Sequence, residues 1–336
     1  MNKVIKKVLF SVLLSMGGYL VIAMSLTLFG VSSSEPDEAD TSDKQAGINF
    51  SEMLIDYSQM PPLQSYGTRG EGQLQYRYYS SDSDKVLILL HGSGWHSQQF
   101  YPLAKFISEQ GLAQVYTPDL RGHGVNPKRR GDIDYIGQFE DDLTDLIIGI
   151  KQDSPGSSII MGGHSSGGGL AIRFAGGTHG QLADAYLLLA PFVYYNASTT
   201  RPNAGGWAKP YTARIIGLSM LNNIGIHGLN HLISIEFNMP PEVRNGTETL
   251  AYSYRLNTSF APRDYGKDLS ALTQPLLLLA GSKDETMFAD KYQGLITKHA
   301  VNSQKTQVKV LPGLSHMGIV VSPDVRPVIK EWLEGL

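Results

Sequence analysis

The stretch GGHSSGGG, residues 162–169, follows the apolar run Ile159, Ile160, Met161 and constrains this chain more than any other segment. Glycine loses the most conformational freedom on being fixed, so five glycines around two serines mark a backbone turning more tightly than side chains allow. Within it, Gly163, His164, Ser165, Ser166 and Gly167 spell G-x-S-x-G between a strand-like and a helix-like segment, the context that makes the pattern informative. The central serine of such a turn is strained so that its hydroxyl stands above a sheet. Ser165 takes that place; with Ser166 at the centre, His164 would occupy the position of the first glycine.

The rest of the chain supplies the sheet. QLQYRYYS (73–80) alternates with period two, as a half-exposed strand does, whereas KVLILLH (85–91) is continuously apolar, as a strand covered on both faces must be. Further strands are predicted at 113–120, 157–163, 185–191, 275–281 and 306–313. Apolar residues at three- and four-residue spacing predict helices between them, at 100–111, 135–153, 166–177, 288–300 and 327–336. This alternation predicts an α/β fold with a mostly parallel, doubly wound sheet. From Phe192 to Thr273 the alternation stops, and a structureless loop of that length is foreign to a compact domain, so 192–273 is read as an inserted cap. Ile215, Ile216, Leu218, Met220, Leu221 and Ile224 crowd into it, either lining an acyl tunnel or forming the cap's own core.

From Val8 to Val31 no side chain is charged, and as a helix this run is about 36 Å long, enough to cross a hydrocarbon core of about 30 Å. Lys3, Lys6 and Lys7 precede it and Glu35, Asp37, Glu38, Asp40 and Asp43 follow, which predicts a single-pass transmembrane helix with the remainder outside the cytoplasm, on the periplasmic or extracellular side. A secretory signal cleaved near Ser32, Ser33 and Ser34 is the competing reading, leaving a secreted product. The expected organisation is an anchor or signal over 1–31, a Ser/Asp/Glu-rich linker over 32–48, and one domain over 49–336. With 28 Lys plus Arg against 31 Asp plus Glu, no basic face suggests nucleic acid. The absence of cysteine excludes disulfides, thiolate nucleophiles and Cys-based zinc sites.

A serine hydroxyl needs a base, an acid to orient that base, and donors for the oxyanion. His316, in LPGLSHMG, lies in a loop after the last predicted strand, on the edge to which Ser165 points. Asp284 stands three residues beyond Gly281, where LLLLAG ends, with Glu285 as the adjacent substitute. One oxyanion donor is the Ser166 N–H at the start of a helix. The other is sought in HGSGWHS (91–97), with Ser93 N–H preferred and Gly94 the alternative.

Five motifs, HGSGWHS, PDLRGHG (118–124), GGHSSGGG, LLLLAGSKDETM and LPGLSHMG, occur in an order and spacing similar to those of the α/β-hydrolase superfamily. Over roughly residues 70–336 the chain resembles the monoacylglycerol lipase and lysophospholipase group of capped serine hydrolases. The resemblance implies an α/β-hydrolase fold with a helical cap, a Ser165–Asp284–His316 triad, and Ser93 and Ser166 as oxyanion donors. It also implies structural roles for Asp119, Arg121 and His123. Ser166 departs from the Met or Leu that relatives often carry there, and the apolar N-terminal segment lies outside the likeness. The implied activity is hydrolysis of carboxylic esters, on a lipid or small-molecule ester, without metal or organic cofactor. Acyl transfer, thioester or peptide cleavage would use the same triad, and a membrane-tethered binding protein without activity is the reading from another class.

Overall fold

The structure, a computed structural model, describes residues 3–30, 47–70, 72–202, 206–303 and 305–336. The linker at 32–46 and the serines at 32–34 lie outside the described residues. Eleven strands are present among the described residues: β1 (Leu63–Thr68), β2 (Gly72–Tyr79), β3 (Lys85–Leu90), β4 (Gln114–Asp119), β5 (Ser158–His164), β6 (Ala185–Leu189), β7 (Ala208–Pro210), β8 (Ile233–Phe237), β9 (Ala251–Ser253), β10 (Leu276–Gly281) and β11 (Thr306–Leu311). The helices are α1 (Lys3–Phe29), α2 (Tyr101–Glu109), α3 (Gln138–Asp153), α4 (Ser166–Ala175), α5 (Thr212–Asn223), α6 (Tyr254–Phe260), α7 (Tyr265–Ser270), α8 (Tyr292–His299), α9 (Gly318–Val321) and α10 (Arg326–Glu334).

Eight strands form one sheet in the order β1-β2-β4-β3-β5-β6-β10-β11. Only β1–β2 and β2–β4 are antiparallel; from β4 to β11 every pair is parallel. β3 shows why its sequence is apolar from Val86 to Leu90. Val86, Ile88 and Leu90 pack into a core with Phe139 and Leu143 of α3 and Leu170 of α4, while Leu87 and Leu89 pack with Leu103 of α2 and Ile329 of α10. Both faces are therefore dry, and a polar residue anywhere from Val86 to Leu90 would lose its water without gaining a partner. This is the α/β-hydrolase architecture that the sequence motifs imply.

Between β6 and β10 the chain builds β7, α5, β8, β9, α6 and α7. β7, β8 and β9 pair antiparallel as a separate sheet, so the insertion is not purely helical. Its strands are three to five residues long, too short for period two to emerge from the sequence. α1 is long and apolar enough to cross a membrane, and its second half lies against α5.

Candidate active site

β5 ends at His164 and α4 begins at Ser166, so Ser165 alone makes the turn, at φ 52° and ψ −121°. A non-glycine residue reaches this region only when its surroundings impose it. Here the Ser165 N–H donates to Leu189 O (3.0 Å) and its carbonyl accepts from Gly169 (3.1 Å) and Phe192 (2.9 Å). A Cβ at Gly163 would run into the Gly167 carbonyl, and one at Gly167 into the Leu90 carbonyl, so the turn closes only with glycine at both places. From Ile159 to Ala175 every residue is buried except Ser165 and Ser166, and from Val86 to Tyr101 every residue except Ser93. Three serines on two loops thus mark where the sheet's edge opens.

His316 and Asp284 meet in the interior, with Nδ1 of the imidazole 2.8 Å from Asp284 Oδ2 and both side chains buried. Burial works against the Asp284 carboxylate. The His316 imidazole and the N–H groups of Thr286 and Met287, each 2.8 Å from Oδ1, outweigh it and hold the pKa below the ordinary carboxylate value. Thr286 Oγ1 also lies 3.0 Å from both Asp284 Oδ1 and His316 Nδ1. Glu285 has a different place: its Oε2 accepts from the His316 backbone N–H (2.8 Å) and its Oε1 from Asn49 N–H (3.2 Å). It positions the histidine loop, while Asp284 meets the ring.

With Nδ1 bound, Nε2 is the nitrogen left to act as a base. Among the described residues no hydrogen bond joins Ser165 Oγ to His316 Nε2. What stands beside both is His164. Its ring centroid is 4.6 Å from that of His316, and its Nε2 lies 3.0 Å from the His316 carbonyl. Gln99 decides its tautomer: Gln99 Oε1 accepts from Gly92 N–H (2.8 Å), so the amide nitrogen faces His164 Nδ1 (2.7 Å) and donates to it. His164 Nε2 must then carry the proton and donate to His316 O. Burial first, and the neighbouring His316 second, keep its pKa well below the usual histidine value, consistent with this neutral form.

The loop 91–97 accounts for most of its N–H groups. Gly92 donates to Gln99, Gly94 to the Tyr252 hydroxyl (2.7 Å), Trp95 to Gly92 O (3.3 Å) and Ser97 to Asp119 (2.8 Å). Gly94 is therefore spoken for, and Ser93 N–H has no protein acceptor among the described residues. The Ser93 and Ser166 hydroxyls are 2.6 Å apart and latch the loop to the start of α4. Tyr252, from the insertion, also bonds His123 Nε2 (2.7 Å), whose Nδ1 faces the carbonyls of Leu120 and Arg121. Arg121 pairs with Asp142 through two contacts of 2.8 and 2.6 Å. The PDLRGHG residues thus support the loop and do not face the opening.

A segment that the sequence reading left without a role clamps the same region. Phe50 is buried with its ring centroid 6.1 Å from Trp95 and 5.0 Å from Trp207, and Glu52 Oε2 accepts from Ser315 Oγ (2.7 Å), next to His316. Nothing in the residues 48–53 alone signals this; it follows from what lies opposite them. Among the described residues no cluster of His, Cys, Asp and Glu could hold a metal ion.

Comparison with known proteins bears on the family and the fold. Residues 81–320 match the family described as serine aminopeptidase, S33. The chain is 25% identical to a monoglyceride lipase of Homo sapiens over 273 residues, covering 78% of this chain and 85% of that protein. It is 26% identical to a monoacylglycerol lipase of Mycolicibacterium smegmatis over 265 residues, covering 75% and 89%. Among solved structures, a soluble variant of monoglyceride lipase from Saccharomyces cerevisiae, in complex with a substrate analogue, superposes with TM-score 0.63 at 17% identity, covering 83% of this chain and 96% of that one.

Proposed function

Since the chain belongs to the serine aminopeptidase S33 family of α/β-hydrolases, we propose that it is a serine esterase that cleaves the carboxylic ester of a monoacylglycerol or lysophospholipid. The observations that carry this reading are the buried Asp284–His316 pair, which leaves Nε2 as the remaining basic nitrogen of that ring, and a partly exposed Ser165 held in a strained turn. His316 Nε2 takes the Ser165 proton as Oγ attacks the acyl carbon. The tetrahedral oxyanion is held by the N–H groups of Ser93 and Ser166, the second at the positive end of α4. As the tetrahedral species collapses, the C–O bond to the alcohol breaks and His316 returns the proton to the leaving oxygen. Water, deprotonated by the same nitrogen, then attacks the acyl-enzyme, and collapse releases the acid and restores Ser165. Asp284 stays ionised throughout and stabilises the imidazolium.

Residues 192–273 serve in this reading as the cap over the site and 32–48 as the linker to α1. α1 is read as a membrane anchor with the enzyme domain outside the cytoplasm, the reading favoured by Lys6 and Lys7 before the apolar run and by the length of the helix.

A fluorophosphonate should label the wild-type chain, and monoacylglycerol should be split to fatty acid and glycerol. Ser165→Ala should abolish labelling and lower turnover on the order of 10⁴-fold or more, while Ser166→Ala keeps both. Label lost in the second variant and retained in the first would reverse the assignment. Faster cleavage of an aminoacyl anilide than of any ester would move the substrate class toward the peptidase that the family's description names.

A further inference from the structure

Behind the histidine loop, α2, the start of α10 and the segment 52–55 enclose an open cleft of about 740 Å³. That volume lies within the roughly 300–1,000 Å³ of small-molecule sites. Ile55, Tyr101, Phe106, Leu314 and Val321 make it apolar, and Lys105 and Arg326 bring two cations to it. Ser165, Asp284 and His316 do not line it, so it is separate from the catalytic opening.

Arg326 is the cation without an answering charge. Its guanidinium lies over the Phe106 ring, 5.3 Å from the centroid, and among the described residues it pairs with no carboxylate. A guanidinium supported on a ring keeps N–H groups for a two-point bond to an anion. α10 begins at this residue, which adds the positive end of a nine-residue helix. Lys105 meets Glu109 at 3.9 Å along α2, with the two side chains 40% and 61% exposed, a surface pair weak enough for an incoming anion to replace. Glu52 and Glu109 also line the cleft and set the opposite limit. Two cations against two acids leave nothing for a phosphate monoester of charge about −2, whereas a single carboxylate is matched by Arg326.

The cleft shares a wall with the catalytic base. Leu314 and Gly318, on either side of His316, both line it. Between them Ser315 Oγ donates to Glu52 Oε2 (2.7 Å) and accepts from Gly318 N–H (2.8 Å), and a Cβ on Gly318 would lie 3.0 Å from the same Glu52 oxygen. The loop has no slack on this side. An alkyl chain pressed against Leu314 and Glu52 therefore displaces the segment that carries His316.

We infer that this cleft is a second binding site, for a long-chain monocarboxylate whose head group sits on Arg326 and whose chain lies among Ile55, Phe106 and Val321, and that its occupancy slows turnover through the His316 loop. That the ligand is the fatty acid released by the enzyme itself rests on the esterase reading above; the site does not.

A palmitate analogue with a diazirine in its chain tests the site on the full chain in nonionic micelles, after a fluorophosphonate has modified Ser165. Crosslinks should fall on the peptides holding Phe106 and Val321, drop roughly tenfold in Arg326→Glu, and fail with the methyl ester of the analogue. Arg326→Gln, the milder change, should weaken crosslinking at an unaltered melting temperature. Crosslinks at the cleft that ignore both the ester and the Arg326 variants, or that fall elsewhere, overturn the inference. Supplied as its monoacylglycerol to unmodified protein, the analogue should label the cleft in wild type and not in Ser165→Ala. Labelling by the free acid but not by the glyceride in wild type would keep the site and sink the esterase reading; equal labelling by the glyceride in both proteins would sink carboxylate recognition. Decanoate should lower kcat for p-nitrophenyl butyrate several-fold in wild type and not in Arg326→Gln. A rise in KM alone, equal in the two proteins, would put the carboxylate in the catalytic site and overturn the coupling.

Discussion

Gln99 illustrates how a residue away from the reacting atoms sets their geometry. Its amide fixes the Gly92 N–H on one side and the His164 tautomer on the other, and His164 in turn holds the His316 carbonyl. Gln99→Leu keeps the shape and removes both bonds, leaving a buried N–H unpaired at a cost of about 1–3 kcal/mol. The expected result is a folded protein with a reduced melting temperature and fluorophosphonate labelling slowed roughly 10²-fold, because errors near 1 Å in such a site have effects of that size. Labelling at the wild-type rate would show that His316 needs no support from this side. Ser165, Asp284 and His316 were legible as candidates because a motif, a strand end and a chain order each mark them. Gln99 and Tyr252 were not: their partners lie 65 and 158 positions away, and no local pattern encodes a contact made through space. The same distance explains Glu285, offered by the sequence as a substitute acid and found on the His316 backbone.

The central strands were legible as elements because burial on both faces leaves an unbroken apolar run, as in β3 and β10. β1 was not, since LQSYGT is an antiparallel edge strand with half of its residues exposed and reads as polar loop. The turn at Phe50–Met53 is four residues long and carries no periodicity, yet it touches three parts of the site. Phe50→Ala should remove about 3–5 kcal/mol of packing and loosen the 91–97 loop and Trp207 together. Glu52→Gln separates support of the site from stability: Ser315 keeps an acceptor but loses the charged one, so melting should hardly move while ester turnover falls roughly tenfold. Equal turnover in Glu52→Gln and wild type would reduce the segment to ordinary packing against the domain.

For the whole molecule, the network around the site fixes how the fold responds to acid. His91, His96, His123 and His164 are all buried, and burial is the largest cause lowering each pKa, His91 to about 4. In the unfolded chain these groups titrate near 6.5. Between pH 6.5 and about 4 the unfolded state therefore binds protons that the folded state refuses, and stability must fall as pH falls through that window. The carboxylates act lower down and in both directions. Asp284, held below its ordinary value, takes stability away only in stronger acid, whereas burial raises Asp142 against the pull of Arg121 and opposes the loss. Acid sensitivity above pH 5 thus belongs to the histidines, at about 1.4 kcal/mol for each unit of depression titrated. The melting temperature in mixed micelles should drop steeply from pH 7.5 to 5.0. His91→Asn should melt lower at pH 7.5 yet lose less on acidification, because the group that refuses the proton is gone. A melting temperature independent of pH across that range would mean that these imidazoles are charged or hydrated in the folded state, and the hydrogen-bond directions at His164 would have to be revised.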